Sequence, residues 1–219
     1  MLKTDLTQLE NRALKAMMDP HFIFNVINSI QHFINAENKE NANYYLAEFA
    51  KLIRISSSFA GKSLVTLEEE ITYLNLYLSL EKLRFGDDLL YEIICDPSIE
   101  TSKTQVAIMM IQPFLENAIW HGILPTKQKG NLNLNIELES ETLLKITVSD
   151  TGIGINELFT QINLLEKHPE SQGLCVAIQR LKLLSVSSKQ ELYISYKHKN
   201  PELINKGTIA EFLLPVVYK

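Results

Sequence analysis

Up to residue 85, apolar positions recur every three or four residues, the period of helices that bury one face. One glycine, Gly61, and one proline, Pro20, interrupt that stretch. The spacing predicts a helix from about Asp5 to Ala36, disturbed at Pro20, because proline lacks the backbone donor and clashes with the preceding turn. A second helix is expected from about Lys39 to Phe59, ended by Gly61-Lys62-Ser63. A third opens at Thr66, where Thr66-Leu67-Glu68-Glu69 spells a capping box, and runs to about Phe85.

After Gly86-Asp87-Asp88 the texture changes. Leu89–Cys95 reads as a strand and Thr104–His121 as a strongly apolar helix. From Asn131 to Glu139 apolar and polar residues alternate (Leu132, Leu134, Ile136, Leu138), as in a half-buried strand. Leu143–Ser149 is a further strand, ending at Asp150-Thr151-Gly152. Helical patches at about Asn156–Glu166 and Gly173–Leu184 follow, then strands near Glu191–Lys197 and Thr208–Leu214. The expected fold class is α+β: a helical part, residues 1–86, and an α/β part, residues 87–219. A few helices with wide apolar faces bury themselves poorly alone, so self-association into a helical bundle is expected.

Composition narrows the function without fixing it. With 46% hydrophobic and 21% charged residues, the chain falls in the range of soluble globular proteins. A net charge of −5 argues against nucleic acid and against an anionic membrane surface as partners. The polar N-terminus is no signal peptide, and no run is long enough to span a bilayer. The sequence therefore reads as a cytoplasmic piece, with any membrane anchor in segments outside it. Cys95 and Cys175 stand far apart in no metal-binding pattern and read as buried, reduced thiols.

Four segments of the second half carry candidate chemistry. In Gln112-Pro113-Phe114-Leu115-Glu116-Asn117-Ala118-Ile119-Trp120-His121-Gly122, polar side chains interrupt an otherwise buried helix. Asn117 and His121 share one face, as do Gln112 and Glu116, and an amide oxygen such as that of Asn117 suits Mg²⁺. Asp150-Thr151-Gly152-Ile153-Gly154 ends a strand. Asp150 can accept from an exocyclic amine such as that of adenine, while glycines let backbone approach a ligand. Gln172-Gly173-Leu174 opens a helix whose free N–H groups suit a phosphate. Lys206-Gly207-Thr208 leads into the last strand. Near the N-terminus, His21, Asn25, Asn28 and His32 form one polar stripe on an otherwise apolar helix.

In this order the four segments resemble the N box, two glycine boxes and terminal Gly-Thr of the Bergerat ATP-binding fold. That fold is a sandwich of a mixed sheet packed on helices. Met18-Asp19-Pro20-His21-Phe22-Ile23-Phe24-Asn25-Val26-Ile27-Asn28-Ser29-Ile30 resembles the phosphoacceptor box of LytS-type sensor histidine kinases. Val65–Glu70 and Tyr77–Phe85 resemble that family's connecting helix, and the likeness runs from about Ala13 to Val217. The resemblance implies that Asn117 holds Mg²⁺ on ATP, with His121 beside it. Asp150 would read the adenine amine, Gly152 and Gly154 would shape the pocket, and Gly173, Leu174 and Thr208 would complete it. Residues 155–172 would form a lid over the phosphates. His21 would take the γ-phosphoryl group, and Asn25 would position water for dephosphorylating a partner. Phe22 stands where histidine kinases of other subfamilies carry a carboxylate, so Glu116, with Asp19 as the weaker alternative, is the candidate to orient His21 or take its proton. A homodimer through the N-terminal helices and a response-regulator aspartate as the next acceptor are also implied.

The chain departs from the family pattern at Ser171 and Val176 in the second glycine box, at Trp120 where lysine is usual, and at Met17. Arg180 and Lys167 are candidates to replace the missing lysine. These departures leave a second reading, a degenerate dimeric nucleotide-binding scaffold without kinase turnover; a third, a Bergerat-fold ATPase or protein-serine kinase, fits the back half but leaves the His21 box unexplained.

Overall fold

The computed structural model describes residues 20–154, 172–188 and 190–218. Helix α1 is described from Pro20 to Asn35, α2 spans Lys39–Phe59, and α3 spans Leu67–Phe85. The capping box forms as the sequence predicts: Thr66 Oγ1 accepts from the Glu69 amide (3.1 Å), and Glu69 Oε2 accepts from the Thr66 amide (2.9 Å). The predicted helical stretch Asp5–Asp19 lies outside the described residues.

Seven strands are described: β1 (Leu64–Thr66), β2 (Leu89–Cys95), β3 (Thr104–Ala107), β4 (Gly130–Ser140), β5 (Leu143–Asp150), β6 (Ile194–His198) and β7 (Thr208–Tyr218). They form one sheet in the order β1-β3-β7-β5-β4-β2, with β6 added on β7. Only β2 and β4 pair in parallel among them, so the sheet is mixed. Helix α4 (Gln112–Asn117) and helix α5 (Gln172–Ser188) complete the described elements. Phe114 of α4 stacks on Phe212 of β7, with ring centroids 4.2 Å apart. The expected α+β class, with a mixed sheet packed on helices, is what the chain forms.

One expectation fails. Thr104–His121 is not a continuous helix. Thr104–Ala107 is a strand held between β1 and β7, with Val106 paired to Val65 on one side and Val216 on the other. The chain then turns through Met109, whose φ is +56°, before α4 starts at Gln112 with Pro113 in its first turn. From Ala118 to Ile123 the helix widens into a π turn. The run Val106–Ile111 is buried throughout, and an unbroken apolar run has no period that separates strand from helix.

Helix α3 serves two packing faces. Its buried positions are Leu67, Glu70, Tyr73, Leu74, Tyr77, Leu78, Leu80 and Glu81, too broad a set for a helix with one wet side. A single apolar cluster therefore runs from Val26 of α1 through α3 to Val216 of β7. Cys95 and Cys175 are free thiols, half-buried rather than buried, and that burial pushes both upward from the usual thiol range.

Candidate functional site

Along β5 the inward positions are Leu144, Ile146, Val148 and Asp150. The two-residue period thus carries a carboxylate onto the same face as three core residues, and Asp150 is 3% exposed. A buried carboxylate needs partners. Its Oδ1 accepts from the Gly152 amide at 2.7 Å and from the Thr208 amide at 3.3 Å. Burial pushes the carboxyl upward from its usual range, and the Gly152 and Thr208 donors oppose that rise.

Three glycines let three segments meet around this group. A Cβ on Gly122 would lie 3.1 Å from Asp150 Oδ1, and one on Gly152 would collide with the Gly122 carbonyl. The Gly122 carbonyl accepts from the Ile153 amide (3.0 Å), and the Gly152 carbonyl accepts from the Gly207 amide (2.8 Å). Gly207, at φ +60°, sits against the Asp150 backbone carbonyl, which a side chain there would strike. Gly154, at φ +89°, passes His198 and Lys206. The N-box glycine, the first glycine box and the terminal Gly-Thr therefore converge on one carboxylate. The close backbone approach that this demands is a local reason for glycine at each point.

The second glycine box joins from the side. The Cβ position of Gly173 lies 3.9 Å from Glu116 Oε2 and 3.8 Å from Pro113, so α5 begins against α4. Leu174 is buried in the core. Asn117 and Glu116 are half-buried, and His121 is exposed on the π turn, where the i, i+4 register of an α-helix no longer holds strictly. The charge of Glu116 helps push the hydroxyls of Tyr73 and Tyr77 upward, after burial as the main cause. Glu116 thus faces α3. Gln112 is explained otherwise: it is buried and accepts from the Tyr73 hydroxyl at 3.0 Å.

His21 stands on α1, but its side chain lies outside what the structure describes, as do the expected lid, the Asn156–Glu166 patch, Lys167 and Ser171. Asn25 is half-buried one turn along, and its carbonyl accepts from Ser29 Oγ at 2.9 Å. The neighbouring Phe22 rests on Tyr77 of α3, centroids 5.3 Å apart.

Arg180 does not replace the missing lysine. It is 1% exposed, and its Nη1 donates to the Ile108 carbonyl at 2.7 Å. Across the same turn, Glu70 accepts from the Met109 amide at 3.2 Å. Together, Arg180 of α5 and Glu70 of α3 hold the left-handed turn that launches α4. Sequence reading missed this pair and a second one, Glu81 and Arg84. The available signal was helical spacing: Glu70 falls one turn before Leu74 and Glu81 one turn after Tyr77, both core positions.

Comparison with known proteins agrees with the motifs. Residues 9–89 match the family model described as "Histidine kinase". The chain is 30% identical over 184 residues to the Sensor histidine kinase YpdA of Escherichia coli, covering 84% of this chain and 32% of that protein. It is 28% identical to the Sensor protein LytS of Oceanobacillus iheyensis, covering 98% of this chain and 36% of that protein. The chain thus spans about a third of the length of these curated relatives. Among solved structures, the histidine kinase domain of the Erythrobacter litoralis EL346 blue-light activated histidine kinase shares the fold. The TM-score is 0.51 at 15% identity, covering 97% of this chain and 94% of that one. On these matches the chain is a relative, over most of its length, of the LytS-type sensor histidine kinases that its own motifs resemble.

Proposed function

We propose that the chain is the kinase core of a sensor histidine kinase that binds Mg-ATP and phosphorylates its own His21. The observation that carries this reading is Asp150, a buried carboxylate at the junction of three glycine segments. Its acceptor oxygens suit an amine donor such as that of adenine. ATP supplies the phosphoryl group. Asn117 offers a hard amide oxygen to Mg²⁺. Gly173 lies in the first turn of a helix that begins beside Pro113 and Glu116, and the N–H groups of a helix start suit phosphate oxygens. His21 is the nucleophile: an imidazole with an ordinary value of about 6.5 is largely neutral near pH 7 and needs little activation.

Incubation with γ-labelled ATP and Mg²⁺ tests the reading. Acid-labile, alkali-stable label that disappears in His21→Ala is expected. Label that survives His21→Ala would favour a serine kinase, phosphate release without label an ATPase, and no nucleotide binding the scaffold instead.

Glu116 is the proposed carboxylate that orients His21 or takes its proton. Glu116→Gln is expected to slow phosphoryl transfer at least a hundredfold, the usual scale for a general base, with ATP affinity intact. Unaltered single-turnover transfer would remove Glu116 from the mechanism. Asn25→Ala is expected to lose dephosphorylation of a phosphorylated partner while keeping autophosphorylation; parallel loss of both would reject that role.

Residues 1–86 would act as the acceptor and dimerisation part and residues 87–219 as the nucleotide-binding part. Phe24, Ile27 and Ile34 are 63%, 48% and 59% exposed on α1, an apolar seam suited to a second copy in a helical bundle. Ile27→Glu is expected to weaken the dimer at least tenfold by sedimentation velocity, since a charge would enter the seam. The onward acceptor would be a response-regulator aspartate. No helix among the described residues is long and apolar enough to cross a membrane. The chain is read as the cytoplasmic portion of a membrane sensor whose spanning segments lie outside it.

A further inference from the structure

A groove of about 320 Å³ lies between α1 and the end of α3, lined chiefly by Asn25, Asn28, Ser29, His32 and Arg84. Among the described residues no carboxylate lines it, although the chain carries a net charge of −5. One wall is the polar stripe of α1, which presents amide, hydroxyl and imidazole groups over two helical turns. The polar group of the facing wall is a single guanidinium.

Arg84 is clamped in place. Its guanidinium lies 4.5 Å from the Trp120 ring centre and 5.0 Å from that of Phe85, and the two rings meet edge to face. This also explains Trp120 locally: its ring is the platform for Arg84. Arg84 Nη1 is buried and has no hydrogen-bond partner among the described residues. The carboxylate nearest to it, Glu81 Oε2, stands at 3.9 Å, beyond hydrogen-bond reach. Nη1 is thus enclosed beside Glu81, and the rest of the guanidinium, held against the two rings at the groove, is preorganised for an oxyanion.

We propose that this groove binds a free phosphate-class oxyanion, held by Arg84 on one side and by Asn25, Asn28 and His32 on the other. A planar carboxylate would be satisfied by the guanidinium fork alone. Donors facing that fork from across the groove suit the out-of-plane oxygens of a tetrahedral anion. The inference rests on the groove itself and does not require that the chain turn over ATP.

The test is titration of the ¹⁵N-labelled 219-residue chain with inorganic phosphate at matched ionic strength, following the side-chain amide signals of Asn25 and Asn28. Saturable shifts are expected, unchanged when Mg-ADP occupies the nucleotide site. Arg84→Gln should weaken the affinity about tenfold or more, the scale of a charge-assisted bond. Arg84→Lys, which keeps the charge and loses the fork, should fall between. Asn28→Leu, at an exposed helix position, should weaken binding several-fold without touching the core. Shifts that never saturate, that survive Arg84→Gln and Asn28→Leu, or that vanish with Mg-ADP would overturn the proposal.

Discussion

Replacing Asp150 with alanine is expected to abolish measurable ATP binding and to lower the stability of the fold. The carboxylate is 3% exposed, and two backbone donors converge on one of its oxygens. Alanine strands the Gly152 and Thr208 N–H groups where water reaches poorly, at about 1–3 kcal/mol for each unsatisfied donor. It also removes the proposed acceptor for the adenine amine. Asp150→Asn separates the two effects. The amide keeps the volume and one acceptor oxygen, so the fold should hold, but its NH₂ group opposes the amine donor of the base. Calorimetry should then show ATP affinity reduced ten- to a hundredfold, the range for a lost charge-assisted bond. Wild-type affinity in the folded Asn variant would remove Asp150 from nucleotide recognition.

Stability should fall as pH rises from 5 to 8. Glu70 is fully buried, and burial pushes its carboxyl to about 7 against the Met109 and Ile111 amides and the charge of Arg180. Glu81 is 2% exposed and is likewise raised to about 7 by burial, with Arg84 opposing. In the unfolded chain both groups titrate near the ordinary value of about 4.3. Between that pH and about 7 the folded state holds more protons than the unfolded one, so unfolding releases them and is favoured by higher pH. The stability that the protonated groups contribute is fully present below the unfolded value and lost as pH passes through 7. A carboxyl held this far above its ordinary value accounts for something on the order of 3 kcal/mol.

Urea unfolding at pH 5, 6, 7 and 8 should trace this loss, and the double variant Glu70→Gln/Glu81→Gln should flatten it. Glutamine at 70 retains an acceptor for the Met109 amide, so the turn should survive. The Asp150 carboxyl is also raised and contributes with the same sign. An equal slope in wild type and double variant would show that these two carboxyls are ionised in the folded protein.

Much of the architecture is legible in the sequence. The Thr66 capping box, the ends of α2 and α3, and the alternation of β4 are local patterns that local forces satisfy. So is the set of glycines in the candidate site, since their spacing resembles a known fold. The two glutamates of α3 were less legible: Glu68, Glu69 and Glu70 look alike in sequence, and all suit the first turn of a helix. Glu69 caps the helix while Glu70 points inward to Met109. Which one faced the core depended on what packed against α3 from its second side.

By itself, then, the sequence determined the α+β class, the helix limits set by caps and glycines, and the motifs that point to nucleotide and histidine chemistry. These depend on neighbours within a few positions, where period and capping act. Tertiary structure decided three other things. It made Thr104–Ala107 a strand, because β1 and β7 offered backbone partners on both sides. It turned Arg180 inward to the Ile108 carbonyl. It also laid Arg84 on Trp120 at the edge of a groove formed with α1. Each joins residues far apart in the chain, and the burial that makes such contacts favourable exists only once the layers have closed.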